Sequence, residues 1–108
     1  RFAEAHCGRI PAARLPGMIE AQRFRDAGLA DAAIWARIMT GGGQVVVIAG
    51  SGHADKRRGA PVAITAADPE LRVVTLGQFE APPDADEHFD GVILAPAPAR
   101  PDPCAALP

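Results

Sequence analysis

The sequence predicts an α/β fold: a partial, mainly parallel or mixed sheet with a long packed helix and a short second helix. Three observations carry this. Residues 15–39 have helical periodicity, residues 44–49 (QVVVIA) form an unbroken β-branched run, and apolar runs recur at 71–76 (LRVVTL) and 91–95 (GVILA). Helix and strand alternate along 108 residues, a length that makes one domain at most. Apolar residues at 48% and charged residues at 22% exclude a disordered tail. No apolar run approaches the ~20 residues that span a bilayer. A net charge of −2 argues against a general nucleic-acid binder.

The long helix is bounded by its own sequence. Pro16 suits a first turn, where the missing N–H does no harm, and Gly41-Gly42-Gly43 stops the helix. One stripe at helical spacing runs Leu15, Met18, Gln22, Asp26, Leu29, Ala33, Ala36. A second face holds Ala21, Phe24, Gly28, Ala32 and Trp35, so the helix is expected to lie sandwiched between layers. Residues 44–49 lack alternation, as a strand buried on both faces does. A turn follows at Gly50-Ser51-Gly52-His53, then a charged loop at Asp55-Lys56-Arg57-Arg58 and a short helix over 59–67. Strands are expected at 71–76 and 91–95, separated by an acidic loop at 84–87. Seven of the 11 prolines fall from Pro82 onward, so residues 96–108 read as an extended, proline-rich tail.

Charge divides the chain. Residues 1–58 carry nine basic and five acidic side chains, and residues 59–108 carry two basic and eight acidic. The asymmetry can draw the two halves together, offer a positive surface to an anion, or simply be a solvated surface of mixed sign.

Two positions could carry chemistry. Gly50-Ser51-Gly52-His53 directly follows a strand, where open α/β sheets bind ligands. There Gly50 and Gly52 would allow a sharp bend and close approach, and His53 would serve as ligand, base or donor. A plain tight turn with a solvent-facing histidine explains the same residues. A dinucleotide fingerprint does not, because its third glycine position holds Asp55 and no suitable helix follows. The second position is the polar interruption of the helix stripe, Gln22 and Asp26 with Arg25 beside them. Burying these groups costs several kcal/mol unless they are paired. Either an Arg25–Asp26 network fixes the helix, or this turn faces a polar pocket and offers Arg25 to an anion. Glu20 and Arg23 fall off the stripe and are expected in solvent, as is His88; His6 carries no geometric signal. Cys7 and Cys104 lack metal-knuckle spacing. In an oxidising compartment they could pair, closing a loop of ~100 residues; in a cytosol they would be two unrelated thiols.

The runs EAHCGRIP, LPGMIEAQRFRDAGLA, VVVIAGSGHADKRRGAP, LRVVTLGQFE and FDGVILAPAPARPDPCAA resemble the C-terminal half of ChaN-family proteins. These are bacterial haem-binding, iron-regulated lipoproteins of the Tiki/TraB/erythromycin-esterase-like superfamily. The most specific parts are the AQRFRD helix and the strand followed by a GxxH turn and a later G-x-P, here Gly59-Ala60-Pro61. The resemblance assigns the GxxH motif to Gly50 and His53 and the arginine–aspartate motif to Arg25 and Asp26, all lining a pocket at the sheet edge. A full family domain is more than twice this length, and the chain opens on Arg1 rather than Met. Residues 1–108 are therefore expected to be the C-terminal part of a single ChaN-like domain.

What the resemblance implies is haem binding for iron uptake, with haem or another small anionic ligand as partner. The chain would supply half of the pocket and the N-terminal half of the domain the rest. A periplasmic or outer-membrane lipoprotein is implied, touching membrane only through a lipid anchor outside this segment and free to form a homodimer. That location would make Cys7 and Cys104 disulfide partners. One departure stands out: family members are thought to place a tyrosine on the iron, and this chain has no Tyr. Either the ligand comes from the other half, or His53 or another group substitutes, or haem is not bound. The alternatives are a metal-dependent hydrolase of the esterase or peptidase kind, with a divalent metal at His53, and a structural half-domain without chemistry of its own.

Overall fold

The structure is a computed structural model, and it describes residues 6–105. Glu4 and Ala5 of the first resemblance run, and residues 106–108 of the tail, lie outside the described residues. A 3-10 turn at Ala12–Arg14 leads directly into α1, Leu15–Met39, with Pro16 in its first turn. The helix stops where Gly41 and Gly42 take positive φ angles of 66° and 91°, which glycine adopts without steric penalty. A single turn, α2 (Ser51–Ala54), and the short α3 (Ala60–Ala67) follow, and α3 packs against α1. Strands β1 (Leu76–Phe79) and β2 (Gly91–Leu94) pair in parallel, Leu76 opposite Gly91 and Phe79 opposite Leu94. The architecture is a partial α/β fold.

The predicted stripe of α1 is its covered side. Leu15, Met18, Gln22, Leu29, Ala33 and Ala36 are half-buried and Asp26 is buried, with Ala30 buried beside them. The second apolar face is not covered, contrary to the expected sandwich: Phe24 is 82% exposed and Trp35 57%. The helix has a layer on one side, so only one of its two apolar faces finds a partner among the described residues.

Two expected strands also differ. Residues 44–49 neither turn nor bend, as a β-branched run should, yet they belong to no ladder, and Val46 and Ile48 are 77% and 94% exposed. Local sequence sets the straight conformation; a ladder further requires a neighbouring strand in register, and none of the described residues supplies it. The run at 71–76 joins the sheet only from Leu76 onward. Thr75 instead gives its backbone N–H to Asp90 Oδ2 at 2.8 Å and its carbonyl to the N–H groups of Asp90 and Gly91. The strand expected at 91–95 and the helix expected at 59–67 form within a residue of their predicted limits.

Charge pairs hold the basic loop to the acidic one. Asp55, 2% exposed, accepts hydrogen bonds from the N–H of Arg57 at 2.8 Å, the guanidinium of Arg58 at 2.9 Å and the N–H of His88 at 3.2 Å. Arg58 also reaches Asp86, and Lys56 pairs with Asp90. Burial pushes the Asp55 carboxyl up, but the hydrogen bonds from Arg58, Arg57 and His88 outweigh it and hold the group below its ordinary range. His88 is therefore not the exposed loop residue expected: it is half-buried, its backbone is bonded to Asp55 and Lys56, and its Nδ1 is buried without a hydrogen-bond partner among the described residues. Cys7 and Cys104 are joined in a disulfide, Cα atoms 5.6 Å apart, which ties the entry to α1 to the tail.

Candidate functional site

The polar interruption of the α1 stripe and the turn after residues 44–49 meet. Gln22 and Asp26, one helical turn apart, point at the ring of His53. His53 Nδ1 lies 2.6 Å from Asp26 Oδ1, and the Gln22 amide nitrogen lies 3.0 Å from Nδ1 and 3.3 Å from Nε2. Nδ1 cannot both donate to a carboxylate and accept from an amide. The consistent arrangement has Nδ1–H donating to Asp26 and the Gln22 amide donating to Nε2. Asp26 is nearly enclosed, its side chain 6% exposed, whereas the His53 ring keeps 23%. A buried carboxylate at this position is tolerable because a ring N–H satisfies it. Asp26 thereby fixes the tautomer and orientation of a ring whose other nitrogen is available for chemistry once Gln22 moves.

His53 stands where two cavities meet. The smaller, about 460 Å³, is lined by Arg25, Gly28, Leu29, Ala49, Gly50 and His53. The larger, about 880 Å³, runs from His53 between the α1–α3 layer and the segments 44–49 and 71–76, and its walls are mainly apolar. Arg25 is exposed at the rim of the smaller cavity and makes no pair with Asp26 among the described residues, since adjacent residues on a helix point in different directions; Asp26 meets His53 instead. Of the residues singled out in the sequence, Gln22, Asp26 and His53 form one cluster, with Arg25 and Gly50 on the adjoining wall. Ser51 is exposed on α2, and its hydroxyl has no hydrogen-bond partner among the described residues. Gly52 lies against Gln22: a Cβ there would meet the amide nitrogen at 3.7 Å.

The glycines do different work from that expected. Gly50 has φ −61° and ψ 151°, an extended conformation open to any residue, and caps α2. The close approach is made by Gly59, where a Cβ would fall 2.1 Å from the His53 carbonyl oxygen. Its signal was present in the Gly59-Ala60-Pro61 motif, although spacing alone gave no reason to place it behind His53.

A haem-type ligand can be tested against these groups. One imidazole oriented through a carboxylate, one exposed guanidinium nearby and an apolar wall from Gly28, Leu29 and Ala49 match an iron ligand, a propionate partner and a ring contact. A divalent-metal site is less well provided for: among the described residues no three His, Cys, Asp or Glu side chains converge to hold an ion. Nor is any helix of the described residues long and apolar enough to cross a membrane.

The model of a family described as haem-binding uptake, Tiki superfamily, ChaN, matches residues 1–64, more than half the chain. This span contains α1, α2 and the whole Gln22–Asp26–His53 cluster, whereas β1 and β2 lie beyond it. No curated protein and no solved structure matches the chain.

Proposed function

Since the chain belongs to the haem-binding uptake family of the Tiki superfamily, ChaN, we propose that it binds haem for uptake at the bacterial cell envelope, with His53 facing the iron. The observation that carries this is the 2.6 Å contact between His53 Nδ1 and Asp26, which leaves Nε2 as the ligating atom at the cavity wall. Metal-bound histidines commonly give their other N–H to a carboxylate in this way, which orients the ring and raises its basicity. Arg25 would pair with a propionate, and Gly28, Leu29 and Ala49 would lie against the macrocycle. Haem, when bound, supplies the iron and two carboxylates; the protein supplies orientation and charge. Nε2 faces the Gln22 amide in the structure, and that hydrogen bond would have to be given up for the ring to hold iron.

An envelope location as a periplasmic protein or lipoprotein agrees with the Cys7–Cys104 disulfide, since such bonds persist in oxidising compartments. Titrating haem into the protein and following the Soret band tests the reading. A saturable shift is expected, reduced in His53→Ala and weakened roughly 10–100-fold in Asp26→Asn. A Soret band identical in wild type and His53→Ala would move the iron ligand elsewhere. The same Asp–His pair could orient a general base. Ester or peptide hydrolysis that His53→Ala abolishes, in protein that leaves the Soret band unchanged, would replace the haem reading with a hydrolase.

A further inference from the structure

Glycine inside a helix destabilises it relative to alanine, because it loses more conformational freedom on folding. Gly28 stands at the middle of the 25-residue α1. It is part of the regular helix and has no positive φ angle that would call for glycine. Packing does not call for it either. A Cβ at Gly28 would have no heavy atom within 4 Å among the described residues, its own stretch of helix aside. What adjoins Gly28 is the smaller cavity, whose wall it forms with Arg25, Leu29 and His53.

Side chains on a helix lean toward its N-terminus, so a side chain at position 28 would cover the surface of the preceding turn. On that turn, three and four positions back, stand Arg25 and Phe24. Both are exposed, Phe24 to 82%, and the Arg25 guanidinium has no ion pair among the described residues. The missing side chain therefore leaves bare helix backbone between an unpaired cation and an uncovered phenyl ring, at the wall of the cavity that holds His53. Bare backbone admits a flat surface to van der Waals contact, a guanidinium takes a carboxylate, and a phenyl ring takes the edge of an aromatic system. Resting on the haem reading for the kind of ring, we propose that Gly28 is a specificity residue. It gives clearance for a flat, carboxylate-bearing tetrapyrrole to lie against α1, its carboxylate at Arg25 and its edge at Phe24. None of these three contacts involves the metal, so the site takes the porphyrin ring with or without iron.

Titration with metal-free protoporphyrin tests this without any bond between iron and His53. Trp35, the one tryptophan of the chain, lies two turns from Gly28 on the same side of α1, about 10 Å along the axis, and reports binding by its quenching. Saturable quenching is expected in wild type. Gly28→Ala weakens binding roughly 10-fold and Gly28→Leu roughly 100-fold, the range of an overpacked contact. Phe24→Ser weakens it about threefold or more. The urea midpoint of Gly28→Ala rises by about 0.3–0.5 M, because a mid-helix glycine has been removed. Affinity and stability move in opposite directions, which a purely structural role for Gly28 does not produce. Absence of saturable quenching in wild type overturns the proposal, as does equal affinity in wild type and Gly28→Leu, or a Gly28→Ala protein less stable than wild type. The haem reading fails separately. Porphyrin binding that needs Gly28, beside a haem Soret band that His53→Ala leaves as in wild type, removes His53 as the iron ligand and supports this inference. A Soret band that depends on His53 but is indifferent to Gly28→Leu overturns this inference and leaves the haem reading standing.

Discussion

At the scale of single residues, the site depends on how few groups contact the His53 ring. Asp26 fixes one nitrogen and Gln22 covers the other. Removing the amide should therefore free Nε2: Gln22→Ala is expected to tighten haem binding severalfold, read as a lower midpoint in a Soret titration, while Asp26→Asn weakens it. Gly59 lies against the backbone of His53. A methyl at this position cannot coexist with the His53 carbonyl, 2.1 Å from the Cβ position, so the α2–α3 junction must shift. Gly59→Ala is expected to cost about 1–3 kcal/mol in urea unfolding, as overpacking does, and to weaken haem binding along with it.

At the scale of elements, the 55–58 loop and the 84–90 loop are fastened by one enclosed carboxylate. Asp55 takes backbone hydrogen bonds from both loops as well as the Arg58 guanidinium. Asp55→Ala is expected to lower stability by about 2–3 kcal/mol, mainly through the two backbone donors left unpaired, since Arg58 is half exposed and reaches solvent. The pH dependence follows from the direction of the shift. The folded carboxyl titrates below its ordinary 3.8, so its stabilisation is fully present above that value and is lost as pH falls through the depressed one. Thermal melts should show the loss setting in below about pH 4 in wild type and much reduced in Asp55→Ala. The outer face of α1 should behave in the opposite manner. Phe24 is 82% exposed, so Phe24→Ser is expected to change the stability of this chain by less than about 0.5 kcal/mol.

At the scale of the molecule, a small buried core is supplemented by a covalent tie. The apolar side chains buried among the described residues are small ones, Ala30, Ala60 and Pro61, and the Cys7–Cys104 bridge closes 97 residues of separation. In the chain-entropy model such a loop contributes about 4–5 kcal/mol, so urea unfolding with and without a reducing agent should differ by that order. Much of this architecture was legible beforehand. Pro16 and the glycine run set the limits of α1, and the periodicity of Leu15, Met18, Gln22, Asp26 and Leu29 gave its covered face, because both signals are local. The polar break at Gln22 and Asp26 marked a site for the same reason: buried polar groups on an apolar stripe need partners. The identity of the partner was not legible, since His53 lies 27 residues from Asp26 and only the packing of α1 beside the α2 turn brings them to 2.6 Å. The burial of His88 depended likewise on a carboxylate 33 residues away. Sequence by itself determined which segments are helical or straight, where they end and which face of α1 is covered, through backbone preference and side-chain spacing. Tertiary structure alone decided which straight segments enter a ladder, which face of α1 stays open and which carboxylate orients His53, because each depends on a neighbour that local sequence does not specify.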